Sequence, residues 1–298
     1  LQPGDTVGIV APAGAFKEAE LEYGIELLKE MGLSVRIPVG LYSRKKYLAG
    51  SDRHRADMIN RFFSDASVGA IVCARGGFGS MRILDRLDFE AIRRNPKIFV
   101  GFSDITAILW ALNSCCGMIG FHGPVLTSLK NADTVSLDRF RDALFSNGPV
   151  RVFPEAARVI QSGAASGRVL GGNLTTLCHL VGTGYHPEFA GCLVLLEDRG
   201  EPVYKIDRML TQLEMAGCFR GVSGILLGSF ESCGSEADVD EVVYDRFSKS
   251  GIPILGGFPV GHGIRNVTIP LGAHATLDTD RGSLSFHETS LLQADSDS

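Results

Sequence analysis

The sequence predicts an α/β protein: an N-terminal domain built on a doubly wound, largely parallel sheet, followed by a second, mixed α/β domain with a β-rich end. Two observations carry this. Short β-rich runs alternate with amphipathic helical runs through the first half, the pattern of βαβ units, which places a ligand crevice at the carboxyl ends of the strands. Then, between residues 146 and 167, SNGPVRVFPEAARVIQSGAASG loses this periodicity and collects Gly, Ser and Pro, as linkers do. The predicted division is an N-terminal domain over 1–146, a linker over 147–167 and a C-terminal domain over 168–298.

TVGIVAP (6–12) reads as a buried strand, and 18–31 then sets Leu21, Ile25, Leu28 and Met31 at helical spacing. LSVRIP is the next strand. SDRHRADMINRFFSD (51–65) is a second helix opened by Ser51 as its cap, and GAIVCA (69–74) is a strand that runs into the glycine loop RGGFGS (75–80). KIFVG (97–101) is a further strand, after which Ser103 opens a helix-like run holding Trp110 in a packed position. In the second half CLVLLE (192–197) and SGILLGSF are strands, 206–217 and 236–249 are helices, and the stretch from IPILGGFPVGHGIRN to SLSFHE carries β and turn patterns.

Composition bounds the function. With 298 residues, 45% hydrophobic and 21% charged, the chain is long enough for one large core or two smaller ones. A net charge of −5 and no Lys/Arg cluster denser than RKK at 44–46 leave no electrostatic footprint for nucleic acid or an anionic membrane. Seven cysteines without CxxC spacing suggest neither a disulfide framework nor a zinc site, and fit reduced thiols in a cytoplasm. No basic leader with a cleavage site is visible, and the apolar runs stop short of the ~18 residues of a membrane span.

Phe102 alone separates Ser103 from a strand end at Gly101, and a helix follows Ser103 at once. That is the layout of a nucleophile elbow, although Ile105 replaces the second glycine of G-x-S-x-G; an ordinary helix cap has the same layout. A serine nucleophile needs a base, an acid that orients the base, and N–H donors for the oxyanion. Among the histidines, His179 reads as packed between leucines, and His54, His186, His274 and His287 as surface or turn residues. His122 and His262 remain, the latter flanked by glycines that allow close backbone approach. Glu197 closes a buried strand at its carboxyl end; it is either the acid or the partner of Arg199 or Arg208 in a structural ion pair, with Glu201 as a rival. RGGFGS can form an anion-binding nest, but it lacks the third glycine of the dinucleotide fingerprint, and no G-K-[ST] or H-E-x-x-H follows.

Taken in order, ARGGFGSMRILDRLD, GFSDITAIL, FHGP, LGGNLTTL, LLEDRGEPVYKIDRMLTQL and PVGHGIRNVTIPLGA resemble the LD-carboxypeptidases of bacterial murein recycling, a serine peptidase family that also contains the microcin C immunity peptidases. The resemblance spans nearly the whole chain. It implies a Ser-His-Glu triad, with Ser103 of GFSD as nucleophile, Glu197 of LLEDRGE as acid and His262 of GHG as base, on a site between the two domains, with no metal and no cofactor. The linker then becomes a hinge candidate. Elbow geometry gives the Asp104 N–H as one oxyanion donor, and family analogy gives that of Gly77 as the second. Arg75, beside the nest, is the candidate for the substrate's free carboxylate. The implied substrate is a murein tetrapeptide losing its terminal D-alanine, in the cytoplasm, with a homodimer as the family's common state. The alternatives are a microcin immunity-type peptidase acting on peptidyl or aminoacyl nucleotides, and a non-catalytic small-ligand binding protein.

Overall fold

A computed structural model describes residues 1–146, 148 and 150–287. The chain divides after residue 147 into two compact units. The first runs β1 (Thr6–Val10), α1 (Glu22–Glu30), β2 (Ser34–Arg36), α2 (Asp52–Ser64), β3 (Val68–Cys73), α3 (Phe89–Arg94), β4 (Ile98–Gly101), α4 (Thr106–Cys116), β5 (Gly120–His122) and α5 (Thr134–Phe145). These strands pair in parallel in the order β2-β1-β3-β4-β5. This is a doubly wound order whose reversal between β1 and β3 marks the ligand-binding edge. Val10 pairs with Cys73, Val72 with Val100, and Gly101 with His122. The strands therefore end level, and the loops after β1, β3 and β4 emerge along one edge.

The sequence forms these elements for simple reasons. Val7, Ile9, Ile71, Val72, Phe99 and Val100 are fully buried, as expected of parallel strands covered on both faces. The Ser51 hydroxyl accepts the His54 N–H at 3.2 Å and starts α2. Gly117, at φ +64, closes α4 with a left-handed cap. Trp110 is buried on α4. α3 and α5 are not apparent from periodicity; both start at an aspartate whose carboxylate accepts a first-turn N–H, Asp88 from Ala91 and Asp133 from Ser136.

The second unit contains β6 (Arg151–Val152), β7 (Arg158–Gln161), β8 (Ala164–Asn173), α6 (Leu174–His179), β9 (Cys192–Arg199), α7 (Val203–Met215), β10 (Gly224–Glu231), α8 (Glu236–Phe247), β11 (Ile254–Gly256), β12 (Ile269–Leu271), β13 (His274–Asp278) and β14 (Ser283–Phe286). Its sheet has eight strands in the order β6-β14-β13-β8-β9-β10-β11-β7. β8 to β11 are mutually parallel, and the flanking pairs are antiparallel. The segment read as a linker thus supplies β6, β7 and the start of β8. β6 and β7 are the two edge strands, and with Val159 half-exposed they have no fully buried face to impose alternation. Residues 147, 149 and 288–298, parts of the predicted linker and C-terminal domain, lie outside the described residues. All seven cysteines are unpaired thiols, and among the described residues no helix is long and apolar enough to cross a membrane.

Candidate active site

In the first unit the elbow is real and strained. β4 ends at Gly101, Phe102 is extended and occupies the cap position, and Ser103 takes φ +64. A single turn of 3₁₀ helix over Ser103–Ile105 then leads into α4. Ser103 is therefore the crest of the turn, not the cap residue. The left-handed region costs a serine ~1–2 kcal/mol, and such strain persists where the surroundings over-determine it. Two contacts do so here. A Cβ on Gly101 would lie 2.7 Å from Ile105 Cγ2, so the isoleucine that replaces the motif's second glycine fits because Gly101 is bare. The buried Asp104 carboxylate accepts the Ser80 N–H at 2.8 Å, and the Ser80 hydroxyl donates to the Asp104 carbonyl. Burial raises the Asp104 pKa, against the hydrogen bonds from Ser80 and Gly79 and the charge of Arg55.

The glycine loop after β3 lies directly against this turn. A Cβ at Gly76 would meet Ser103 Cβ at 3.0 Å and its hydroxyl at 3.3 Å, so a side chain there would press on the serine, and glycine leaves it in place. The Gly14 N–H, in the loop after β1, donates to the Gly76 carbonyl at 3.0 Å. Gly77 takes φ +105, and among the described residues its N–H donates to no acceptor. Arg75 is half-exposed; it donates to the Ala15 carbonyl at 2.9 Å and lies 3.8 Å from a Glu20 oxygen. Phe78 and Tyr47 form an exposed pair with ring centroids 5.9 Å apart. His122 is fully buried at the end of β5, edge-on to Phe102.

In the second unit Glu197, near the carboxyl end of β9, is fully buried and His262 nearly so. His262 Nδ1 and Glu197 Oε2 are 2.7 Å apart. With Nδ1–H donated to the carboxylate, the lone pair of the neutral imidazole lies on Nε2, the nitrogen that acts as a base. Burial disfavours the imidazolium, but the hydrogen bond and charge of Glu197, with a smaller contribution from Asp198, outweigh it and raise the His262 pKa. The loop holding His262 is pinned at both flanking glycines, since the Gly261 N–H donates to Asn266 Oδ1 at 3.0 Å and the Gly263 N–H to the Ser229 hydroxyl at 2.8 Å.

The other candidates separate cleanly. Glu201 pairs with Lys205 at 3.1 Å, and Arg208 lies over the Tyr204 ring, so Glu197 is the carboxylate that meets a histidine. His179, expected to be packed, is exposed at the end of α6 while its leucine neighbours are buried. Sequence reasoning misses Arg55, Ser80, Asp198, Ser229 and Asn266. Arg55 alone left a trace, because it shares the apolar stripe of Met58, Ile59 and Phe62 on α2. Asp198 is buried and accepts from Asn173 Nδ2 at 3.0 Å and from the Thr175 N–H and hydroxyl at 2.8 and 2.7 Å, which ties β8 and the start of α6 to the strand bearing Glu197.

Comparison with known proteins bears on the family and the fold. The family model for the LD-carboxypeptidase N-terminal domain matches residues 7–123, and that for the LD-carboxypeptidase C-terminal domain matches 166–277. A Bacillus subtilis protein named "Probable murein peptide carboxypeptidase" is 35% identical, covering 94% of this chain and 90% of its own. The "Murein tetrapeptide carboxypeptidase" of Pseudomonas aeruginosa is 31% identical, over 92% and 94%. Among solved structures, an MccF-like protein from Bacillus anthracis superposes with a TM-score of 0.91 at 26% identity, covering 97% of this chain and 98% of its own.

Proposed function

This chain belongs to the LD-carboxypeptidase family, and we propose that it is a serine carboxypeptidase that releases the terminal D-alanine from murein tetrapeptides. The observation that carries the reading is the left-handed Ser103 at the crest of the turn after β4, against the bare Gly76. Ser103 Oγ attacks the scissile carbonyl as its proton passes to His262 Nε2, and Glu197 holds the tautomer and stabilises the imidazolium. The Gly77 and Asp104 N–H groups take the oxyanion. His262 returns the proton to the departing D-alanine amine, and then activates a water that hydrolyses the acyl-enzyme. Arg75 is assigned to the substrate's terminal carboxylate. We assign the reaction to the cytoplasm, consistent with seven free thiols, and expect a homodimer from the family resemblance.

A second reading, an immunity-type peptidase that cleaves an amide in peptidyl or aminoacyl nucleotides, is favoured by the structural likeness to the MccF-like protein. Against it, the one tryptophan, Trp110, is buried on α4 and offers no face for a nucleobase to stack on. The test is digestion of lysine and diaminopimelate tetrapeptides, the pentapeptide and an acyl-sulfamoyl adenylate, with products identified by mass. D-alanine from a tetrapeptide, lost in Ser103→Ala, is the expected result. Cleavage of the adenylate alone selects the second reading. Full turnover by Ser103→Ala overturns both, and no turnover of any substrate leaves a binding protein.

A further inference from the structure

Arg55 shares the buried stripe of α2 with Met58, Ile59 and Phe62, and is fully buried. A charge there loses its hydration at large cost, and burial lowers its pKa although Asp52 opposes the shift. Leucine or methionine would fill such a stripe without that cost. Packing alone therefore does not account for an arginine; its hydrogen bonds do. Nη1 donates to the Pro12 carbonyl, in the loop after β1, and to the Gly79 carbonyl at 2.7 Å, in the glycine loop after β3. Nη2 donates to Asp52 Oδ1 at 2.5 Å, and Asp52 also pairs with Arg82 at 2.8 Å, just past the glycine loop.

From its other side the same loop is held by Asp104, whose carboxylate accepts the Ser80 N–H at 2.8 Å and whose carbonyl accepts the Ser80 hydroxyl. Gly79 is thus fixed through its carbonyl by Arg55, and its neighbour Ser80 through its N–H by the residue after Ser103. A Cβ at Gly79 would lie 2.9 Å from Arg55 Nη1, so the guanidinium seats against a bare backbone. Gly77 lies two residues before this clamp, and the Gly14 N–H anchors Gly76 on the other side.

We infer that Arg55 is a positioning residue: by holding the carbonyls of Pro12 and Gly79 together it sets the direction of the Gly77 N–H toward the oxyanion. This rests on the proposed role of Gly77, so the experiment separates the two. In the full chain, wild type, Arg55→Gln, Arg55→Lys and Asp52→Asn are compared for kcat and KM of D-alanine release, for the rate of Ser103 phosphonylation by a fluorophosphonate, and for thermal unfolding.

A displacement near 1 Å is enough to slow a reaction about 100-fold, so Arg55→Gln is expected to lose roughly that in kcat and labelling rate, with KM within about threefold. Arg55→Lys, which keeps a cationic donor on the same helix position, should recover at least about tenfold of the loss, and Asp52→Asn should label about three- to tenfold slower than wild type. A folded Arg55→Gln that labels at the wild-type rate, or whose loss lies only in KM or only in the folded fraction, overturns the inference. Should Arg55→Gln not fold, a wild-type labelling rate in Asp52→Asn overturns it as well. Wild type that does not label at Ser103 overturns the proposed function instead.

Discussion

Replacing Gly261 by alanine is expected to separate the catalytic pair with the rest of the fold intact. Gly261 takes φ +113, and a Cβ there would lie 2.4 Å from Glu197 Oε2, about 1 Å short of ordinary van der Waals contact. The carboxylate is fully buried on a central strand and has nowhere to retreat, so the loop bearing His262 must move by most of that ångström. Backbone strain of this kind costs ~1–3 kcal/mol of stability. The larger effect is on rate, where a misplacement of ~1 Å costs on the order of 100-fold. Gly251→Ala is the control, because its φ is +70 but nothing lies within 4 Å of the added methyl; it should lose ~1–2 kcal/mol in stability and none of its kcat. Urea unfolding and steady-state kinetics on both variants read the two effects separately. If Gly261→Ala keeps kcat within about threefold of Gly251→Ala, the Glu197–His262 contact does not limit the reaction and the reasoning fails.

Three further outcomes follow from the site. His262 must be neutral to accept a proton, and its pKa is raised above 6.5 by Glu197 against burial; the acid limb of kcat/KM should therefore have its midpoint above 6.5, and Glu197→Gln should move that midpoint down in a pH–rate profile. By linkage, the stability contributed by protonated His262 is complete below about pH 6.5 and lost as pH rises through the raised pKa, so the wild-type Tm should fall relative to His262→Gln across that window. Ser103→Gly removes a left-handed penalty of ~1–2 kcal/mol and adds about 0.4–1 kcal/mol of unfolded-state entropy. It should be at least as stable as wild type while losing all labelling, and a clear fall in its unfolding midpoint would refute the strain assigned to Ser103.

The strands legible in the sequence share one property: burial on a single element. β1, β3, β4, β9 and β10 are covered on both faces and read as continuous apolar runs. Glu197 stood out as a carboxylate in such a run, and His262 as a histidine between two glycines. β6 and β7 gave no pattern, because edge strands alternate weakly. What Arg55 and Ser80 do was hidden for another reason. Their roles lie in bonds to backbone atoms of residues 43 and 24 positions away, and no local periodicity encodes those. The positive φ of Ser103 was likewise hidden, since the local sequence fits a cap equally well.

That φ also bears on why the elbow is a site and not merely a turn. Among the described residues three non-glycine residues have positive φ: Lys46, Ser103 and Ser232. Lys46 and Ser232 are exposed in loops, where a left-handed residue is a local cost with a local escape. Ser103 lies between buried Phe102 and Asp104, and its conformation is fixed by three contacts: Gly76 against its side chain, Ile105 seated on Gly101, and Ser80 bonded to Asp104. A fold under selection for stability alone would place glycine at 103, as it does at Gly77, Gly79 and Gly117. Keeping a hydroxyl there against the backbone's preference requires a use for that hydroxyl. The geometry supplies one, because the same contacts that impose the strain also hold Oγ beside the glycine loop.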